Sequence, residues 1–228
     1  MSSVSGRVTF MNYSEMTLSE FVYRLGSRDA VPGGGGASAL AGCLGAALGK
    51  MVAHLTLNRK QYENVWGEME DVIREEEKLQ EELLDLISED ARMFEPLSKA
   101  YSMPRKTPQE MEKRQQVMEE ALKDACQVPL QIMEKVCRAI DLAKITAEKG
   151  STLAVSDAGD AAALCAAALK SASLNVYVNT NLMKNRALAE EYNERADRMI
   201  TEYVPLAEQI YSEVLKKLMP GSGIWRKC

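Results

Sequence analysis

Apolar residues recur with a helical period along most of the chain, and alternating strand patterns are almost missing. A charged segment from about Gln61 to Lys99 shows the clearest example. Its apolar stripe consists of Val65, Met69, Val72, Leu79, Leu83, Leu86 and Ile87. The dense acidic positions between them, Glu75–Glu77 included, are typical of a solvated helix face. The pattern predicts one long amphipathic helix here.

Capping signals and glycines divide the first part of the chain. Thr17-Leu-Ser-Glu20 has the form of a capping box, in which Thr17 and Glu20 satisfy each other's free N–H groups. It predicts a short helix that ends near Arg28. Val31-Pro32 and the glycines 33–36 then interrupt the chain before a helix that runs to about Leu57.

A second capped start follows the break at Met103–Lys106. Thr107-Pro108-Gln109-Glu110 places a cap, a proline at the first helical position and a glutamate at the third. The helix that it opens should run to Gly150, with a kink at Pro129, because proline cannot donate to the carbonyl four residues earlier.

The last third of the chain predicts two more helices. Ser156 or Asp157 is expected to cap an alanine-rich helix towards Asn181, and the final helix should end before Pro220, with a bend at Pro205. No repeat and no Gly/Ser linker divides residues 1–228. We therefore predict an all-α fold: a single-domain antiparallel bundle of about six helices, some long and kinked, with residues 1–14 as a loosely ordered N-terminal arm.

Composition narrows the possible classes of protein. The chain has 228 residues, 46% of them hydrophobic, and a formal net charge of −5, which argues against a dedicated nucleic-acid binder. His54 is the single histidine, so one chain cannot build a metal site from two histidines. The five cysteines form no Cys-x-x-Cys pair and are typical of reduced packing residues in a cytoplasmic protein. No metal site built from two histidines is therefore expected.

The sequence predicts neither a signal peptide nor a membrane-spanning segment. The N-terminal MSSVSGRVTF has no basic region followed by an apolar core, so no signal peptide is predicted. The longest apolar run, Ala37–Leu48, is too short to span a bilayer. We expect a cytoplasmic protein with no membrane contact.

The glycine-rich segment is unusual for a helical bundle. Gly42, Gly45 and Gly49 share one helix face and are best explained by close packing of a second helix. The four glycines 33–36 differ, because their N–H groups lie beside the positive end of a helix dipole, where an anion or carbonyl can bind. A flexible turn is the alternative. The segment is not a P-loop, since Met51 stands where Ser or Thr is required, and no strand precedes it as a dinucleotide fold demands.

Four polar side chains are candidates for chemistry. Asp157 is interpreted either as a helix cap or as a carboxylate near a pocket mouth, and Asp90 either as a surface residue or as a second carboxylate. Asn175 and Asn179 share one helix face among apolar residues, so each must bond a neighbouring helix or a polar ligand. His54 is expected to be a buried core histidine rather than a catalytic one.

These motifs together resemble the formiminotransferase-cyclodeaminase C-terminal domain family. The resemblance covers about Thr17 to Asn181 and rests on five segments in the family's order: Val31–Gly42, Met51–Thr56, Asp90 with Ala100–Arg105, Ser156–Gly159 and Asn175–Asn179. The chain departs from the family pattern at Gly36, His54, Arg105 and Ser151.

The resemblance implies an all-helical homodimer that acts on one-carbon adducts of tetrahydrofolate, with no metal, no nucleotide and no tightly bound cofactor. It implies Asp157 as the principal catalytic or pterin-anchoring carboxylate and Asp90 as the second. The implied substrate-binding residues are Gly33, Gly34, Gly35, Gly36, Ser38, Asn175, Asn179, Arg105 and Lys106. Arg105 and Lys106 would attract the glutamate tail of a reduced folate.

Three functions follow from this interpretation. The first is conversion of 5-formiminotetrahydrofolate to 5,10-methenyltetrahydrofolate with release of ammonia. The alternative is 5,10-methenyltetrahydrofolate cyclohydrolase, which gives 10-formyltetrahydrofolate through a similar tetrahedral carbon. The remoter alternative is a non-enzymatic helical interaction protein, in which the glycine faces form only an oligomer interface.

Overall fold

The computed structural model describes residues 11–219, and within that range it contains helices and no strand. The α-helices are α1 (Leu18–Leu25), α2 (Gly34–Thr56), α3 (Trp66–Tyr101), α4 (Pro108–Lys149), α5 (Val155–Thr180) and α6 (Arg186–Leu218). Short 3-10 helices cover Tyr13–Glu15, Lys60–Val65 and Thr152–Ala154. The predicted all-α bundle is confirmed.

Two predicted capping boxes are present with both of their hydrogen bonds. Thr17 accepts from the N–H of Glu20 while Glu20 accepts from the N–H of Thr17, and Thr107 and Glu110 do the same at α4. Pro129 lies inside α4, which continues through it to Lys149. The predicted starts of α1 and α4 are therefore confirmed.

Some helix limits differ from the prediction. The α1 helix ends at Leu25 rather than near Arg28, and the segment Lys60–Val65 is a separate 3-10 turn before α3. The prediction that Ser156 or Asp157 caps the next helix is wrong, because the chain is already helical at Val155. Asp157 lies in the first turn instead, where its charge favours the positive end of the helix dipole.

The structure corrects part of the prediction that residues 1–14 form a loosely ordered arm. Residues 1–10 lie outside the described range, but the next residues pack against α3. Tyr13 is buried, and its N–H donates to Ser88 Oγ over 2.8 Å. Residues 11–14 are therefore tied to the bundle rather than loose.

Glycines on α2 allow three other helices to pack closely around it. A Cβ at Gly42 would come within 2.7 Å of Val136 on α4, and one at Gly45 would overlap Cys165 on α5. A Cβ at Gly49 would lie 2.6 Å from Glu76 Oε1 on α3. The packing interpretation of these glycines is confirmed, and α2 therefore lies at the centre of one layer, between α3 and α5.

The helix α4 lies behind this layer and contacts the four other long helices. The contacts of Gly34 with Asn175 and of Gly45 with Cys165 show that α2 and α5 run antiparallel. Nothing in residues 11–219 covers their sides away from α4, which carry exposed leucines, among them Leu44 at 48% and Leu174 at 67% exposure. By length and composition alone, α2 and the stretch Thr152–Thr180 could each cross a membrane, with 56% and 50% of their apolar windows buried inside the protein.

Two polar residues lie where the sequence did not place them. His54 is exposed rather than buried, since it lies on the free side of the last turn of α2. Glu76 was expected on a solvated face, but it is 0% exposed because it points at Gly49, where the missing side chain leaves room. Neither of its carboxylate oxygens has a hydrogen-bond partner in the part of the chain that the structure describes. Four of the cysteines, Cys43, Cys126, Cys137 and Cys165, are free and buried as expected.

Candidate functional site

A cavity of about 220 Å³ opens at the end of the bundle where α2 begins. It lies between the glycine loop, α3, α4 and α5, so four separate parts of the chain contribute to it. Its lining residues are Ala30, Val31, Gly33, Gly34, Gly35, Asp90, Phe94, Ala125, Asn175, Val178 and Asn179. The structure therefore brings together Asp90, three of the four predicted glycines and both predicted asparagines.

The carboxylate of Asp90 takes the place of a helix cap for α2. Gly33 stands at the N-cap position and has no side chain to offer, and the N–H of Gly36 donates to Asp90 Oδ2 over 3.1 Å. A Cβ on Gly35 would overlap Asp90 Oδ1, so only glycine at this position lets the carboxylate approach. The N–H groups of Gly34 and Gly35 precede the first hydrogen bond of the helix and remain available to a ligand.

The carboxyl group of Asp90 is largely shielded from solvent. Burial raises the pKa of Asp90 to about 6, and the hydrogen bond from Gly36 opposes part of that rise. A carboxyl group with a pKa near 6 exchanges protons readily around neutral pH, as a general acid or base must. Asp90 is thus a half-buried cavity residue rather than a solvated surface residue, and its catalytic role stays a prediction.

Asn175 presents an oxygen to the glycine loop. Its Nδ2 donates to the carbonyl of Ser171 one turn earlier over 2.9 Å. Its Oδ1 would lie 3.3 Å from a Cβ on Gly34, so this oxygen faces the start of α2. The amide thus offers a hydrogen-bond acceptor to a ligand in the cavity.

Asn179 is positioned by a proline on another helix. Pro129 has no N–H, so the carbonyl of Ala125 four residues earlier lacks its usual partner in α4. Asn179 Nδ2 donates to that carbonyl over 3.2 Å. The proline therefore creates the acceptor that orients Asn179 in the cavity.

Several predicted site residues lie elsewhere in the single chain. Asp157 precedes Asn175 by 18 positions on α5, about 27 Å along the helix axis. Arg105 and Lys106 are exposed in the turn between α3 and α4, and Arg105 borders a separate surface hollow with Arg114 and Lys184. Ser38 is buried, and its hydroxyl donates to the carbonyl of Gly35 over 2.7 Å, so it supports the loop instead of lining the cavity.

Sequence reasoning missed the apolar part of the cavity wall. Phe94 follows Asp90 by one helical turn, a spacing that indicates a shared face. Val31 and Val178 also line the cavity. Both belong to sequence motifs, Val31–Gly42 and Asn175–Asn179, in which only the glycines and the polar residues were predicted to bind substrate. For Ala125 the sequence holds one indication, because Pro129 four residues later leaves the carbonyl of Ala125 without its usual helical donor.

The arrangement combines a carboxyl group whose pKa is raised by burial, two oriented amides and the N–H groups of a helix N-terminus. An apolar wall surrounds them, so a flat ring with polar edges fits the chemistry of the lining. Among residues 11–219, no group of three or more His, Cys, Asp or Glu side chains is placed to hold a metal ion.

Comparisons with known proteins show the family to which the chain belongs. The formiminotransferase-cyclodeaminase family profile matches residues 17–198. A methenyltetrahydrofolate cyclohydrolase of Methylorubrum extorquens is 41% identical over 203 residues, which cover 89% of this chain and 97% of that protein. The formimidoyltransferase-cyclodeaminase of Gallus gallus is 32% identical over 185 residues, 81% of this chain, which spans only 34% of that longer protein.

A solved structure is similar over nearly its whole length. The crystal structure of formiminotetrahydrofolate cyclodeaminase from Thermotoga maritima matches with a TM-score of 0.74 and 29% identity. The match covers 91% of this chain and 98% of that one. A protein named for one candidate reaction is thus similar in sequence, and a protein named for the other is similar in fold.

Proposed function

Because the chain belongs to the formiminotransferase-cyclodeaminase family and is a folate one-carbon enzyme, we propose that it is a 5,10-methenyltetrahydrofolate cyclohydrolase. The observation that carries this choice is the 41% identity to a protein of that name over 97% of its length. This identity supports hydrolysis over deamination, which was the first function inferred from the sequence. The reaction adds water to the bridging carbon and yields 10-formyltetrahydrofolate.

Asp90 would move the protons in this reaction. Its carboxylate takes a proton from the attacking water as the oxygen bonds to the methenyl carbon, which gives a tetrahedral carbon between N5 and N10. The same carboxyl group then gives the proton to N5 as the carbon–N5 bond breaks. The carboxylate formed in this way takes the hydroxyl proton as the formyl carbonyl forms, and it then releases that proton to solvent. The raised pKa of Asp90, about 6, suits both halves of this transfer.

The other cavity groups would bind and orient the ring. The Oδ1 of Asn175 would accept from a pterin N–H, and Asn179 would bond a polar edge of the same ring. The N–H groups of Gly34 and Gly35 would bind a carbonyl oxygen, and Phe94 would pack against the ring face. Holding N5, N10 and the water in one orientation contributes to the rate by lowering the entropy cost of the step.

The cyclodeaminase reaction is the second candidate, and the match to the Thermotoga maritima structure favours it. In that reaction N10 attacks the formimino carbon on N5, Asp90 accepts the N10 proton, and the same group protonates the amine that leaves as ammonia. Both reactions pass through a tetrahedral carbon between two nitrogens, so the same lining serves either.

Further parts of the proposal concern the substrate tail and the state of the protein. Arg105 and Lys106 would attract the glutamate tail of a reduced folate from the exposed turn before α4. We also propose that the enzyme works in the cytoplasm as a homodimer without a tightly bound cofactor. The exposed apolar side of α2 and α5 supports the dimer, because surfaces of that kind are buried when copies associate.

The test follows the near-ultraviolet absorbance of methenyltetrahydrofolate with purified protein and two substrates in parallel. Each is compared with a no-enzyme sample to subtract the spontaneous reaction. Accelerated loss of added methenyltetrahydrofolate supports the cyclohydrolase. A rise in absorbance from 5-formiminotetrahydrofolate, with release of ammonia, supports the cyclodeaminase instead. No acceleration of either reaction contradicts both.

A further inference from the structure

An exposed segment between α1 and α2 forms one edge of the cavity mouth. Residues 27–30, which we call the entrance strap, connect the end of α1 to the glycine loop, and all four are exposed. Ala30 at the end of the strap lines the cavity, and so does Val31, the next residue. The remaining lining residues belong to the glycine loop or to the long helices α3, α4 and α5. The strap is therefore the part of this edge that is free of helical structure and fully on the surface.

Within residues 11–219, only local hydrogen bonds hold the backbone of the strap. The N–H of Ser27 donates to the carbonyl of Arg24 over 3.0 Å, and the N–H of Asp29 donates to Ser27 Oγ over 3.0 Å. The N–H groups of Arg28 and Ala30 donate to no other residue in that range. Exposed backbone with few hydrogen bonds opens at a small cost in free energy, so the strap can move while the helices stay in place.

In the described part of the chain, one ion pair ties the strap to α1. Asp29 Oδ2 lies 3.5 Å from Nε of Arg24, which is in the last turn of α1. The guanidinium of Arg24 lies over the ring of buried Tyr13, 5.6 Å from its centroid, and the N–H of Tyr13 donates to Ser88 on α3. Arg24 is thus anchored to the bundle, whereas Asp29 belongs to the strap. The two side chains are 33% and 56% exposed, so the pair is weak enough to break and form again.

The strap has a fixed point on either side. Pro32 is buried, and a Cβ on Gly36 would lie 3.6 Å from the Cβ of Pro32, so the chain packs against α2 from this residue on. On the other side, α1 is held by Phe21, which is 4% exposed. Gly26 joins α1 to the strap, and glycine accepts the change in backbone angles that a hinge needs. Movement is therefore confined to the residues between Gly26 and Pro32.

We propose that the entrance strap is a gate for the substrate, and that the ion pair between Arg24 and Asp29 holds it closed. This rests on the proposed function, and it deepens it by assigning the residues that control entry and release. The closed cavity of about 220 Å³ is smaller than the roughly 300–1,000 Å³ of typical small-molecule pockets, so its mouth has to widen to admit a reduced folate. When the strap closes again, Ala30 and Val31 contact the bound ring and limit the access of solvent.

Substitutions at Asp29 test the gate through the kinetics of the proposed reaction. Asp29→Asn breaks the ion pair and lowers the closed fraction, so KM should rise about two- to fivefold. The value of kcat should not change, because Asp90 is held by the N–H of Gly36 and not by the strap. Charge attraction alone predicts the opposite change in KM, since the loss of a carboxylate favours the binding of an anionic folate. A KM of Asp29→Asn equal to that of the wild type overturns the proposal.

Two further variants make the kinetic result specific. Asp29→Glu keeps the carboxylate and should keep a KM close to the wild-type value. Arg28→Gln is the matched control, because Arg28 is exposed on the same strap and pairs with no carboxylate within residues 11–219. Its KM should also stay close to wild type. An equal rise in KM for Arg28→Gln and Asp29→Asn would mean that any change in the strap weakens binding, and it would overturn the role of the ion pair.

Limited digestion with trypsin tests the gate without catalysis. The bond after Arg28 lies in the strap, and its cleavage reports how often the strap is open. Arg24→Gln breaks the ion pair and leaves that bond unchanged, so cleavage after Arg28 should be about two- to fivefold faster than in the wild type. Equal cleavage rates overturn the gate whatever reaction the chain catalyses. Faster cleavage in a chain that is inactive on both folates supports the ion pair as a latch and contradicts only the proposed function.

Discussion

The side-chain amide of Asn179 donates to the carbonyl oxygen of Ala125, the carbonyl that Pro129 leaves without a partner in α4. Replacing Asn179 with Leu removes the donor and leaves a buried carbonyl unsatisfied. We predict a loss of about 1–3 kcal/mol in the free energy of unfolding, measured by urea denaturation. Substrate affinity should fall as well, because the same amide faces the cavity.

A second substitution separates these two effects. Pro129→Ala in the Asn179→Leu background restores an N–H that can reach the Ala125 carbonyl within the helix. Stability should return while substrate affinity stays low. If stability does not return, the loss of stability in Asn179→Leu does not come from the missing hydrogen bond to the carbonyl of Ala125.

Gly35 is required for the position of Asp90. A Cβ there would overlap Asp90 Oδ1, so Gly35→Ala should displace the carboxylate and reduce kcat by at least about tenfold. Gly67→Ala is the matched control, since a Cβ at Gly67 meets nothing within 4 Å and alanine is the better helix former. Equal activity of the two variants would contradict the close approach of Asp90 to the loop.

Glu76 should make the protein less stable as pH rises. Burial raises the pKa of Glu76 to about 9 from an ordinary value of 4.5, so the folded chain keeps a proton that the unfolded chain loses. The stability it contributes is complete below pH 4.5 and is lost as pH increases through about 9. Glu76→Gln should therefore raise the free energy of unfolding at pH 7, by an amount on the order of 3 kcal/mol.

The comparison at two pH values checks the cause of that effect. The gain from Glu76→Gln should be much smaller at pH 5 than at pH 8, while exposed Glu77→Gln, which only breaks a surface contact with Lys50, should show little difference. A gain that does not change with pH would mean that the ionisation of Glu76 is not responsible.

The local signals in the sequence were sufficient for the helix order. Thr17 and Thr107 cap their helices through residues three positions away, and such short-range hydrogen bonds can be recognised in the sequence itself. The predicted cap at Ser156 or Asp157 failed because the preceding 3-10 turn leads directly into the helix at Val155. His54 and Glu76 were misplaced because helical periodicity does not show which side a neighbouring helix covers.

The site depends on contacts that are distant in the sequence. Asp90 and Gly36 are 54 positions apart, and nothing local to either indicates their hydrogen bond. The family resemblance named Asp90, the glycines and both asparagines, whereas Phe94 and Ala125 emerged only when α3 and α4 were placed around α2. Asp157 remains a prediction, since it precedes Asn175 by 18 positions on the same helix and does not line the cavity of the single chain.

The pH dependence of turnover should report the ionisation of Asp90. Since the carboxylate is the form that accepts a proton from water, kcat/KM should rise with pH through about 6 and level off above it. Each rate is measured against a no-enzyme sample at the same pH. A profile that is flat between pH 5 and 8 would mean that another group carries the proton.

The most direct measurement is the rate of methenyltetrahydrofolate loss with the wild type, Asp90→Asn and Asp85→Asn at pH 7. Asp85 is exposed on the same helix, so its variant controls for the change of charge. We predict that Asp90→Asn loses at least about a hundredfold in kcat, keeps its fold and lacks the rise in rate near pH 6, while Asp85→Asn stays close to wild type. Wild-type turnover by a folded Asp90→Asn would contradict the assignment of this cavity as the catalytic site.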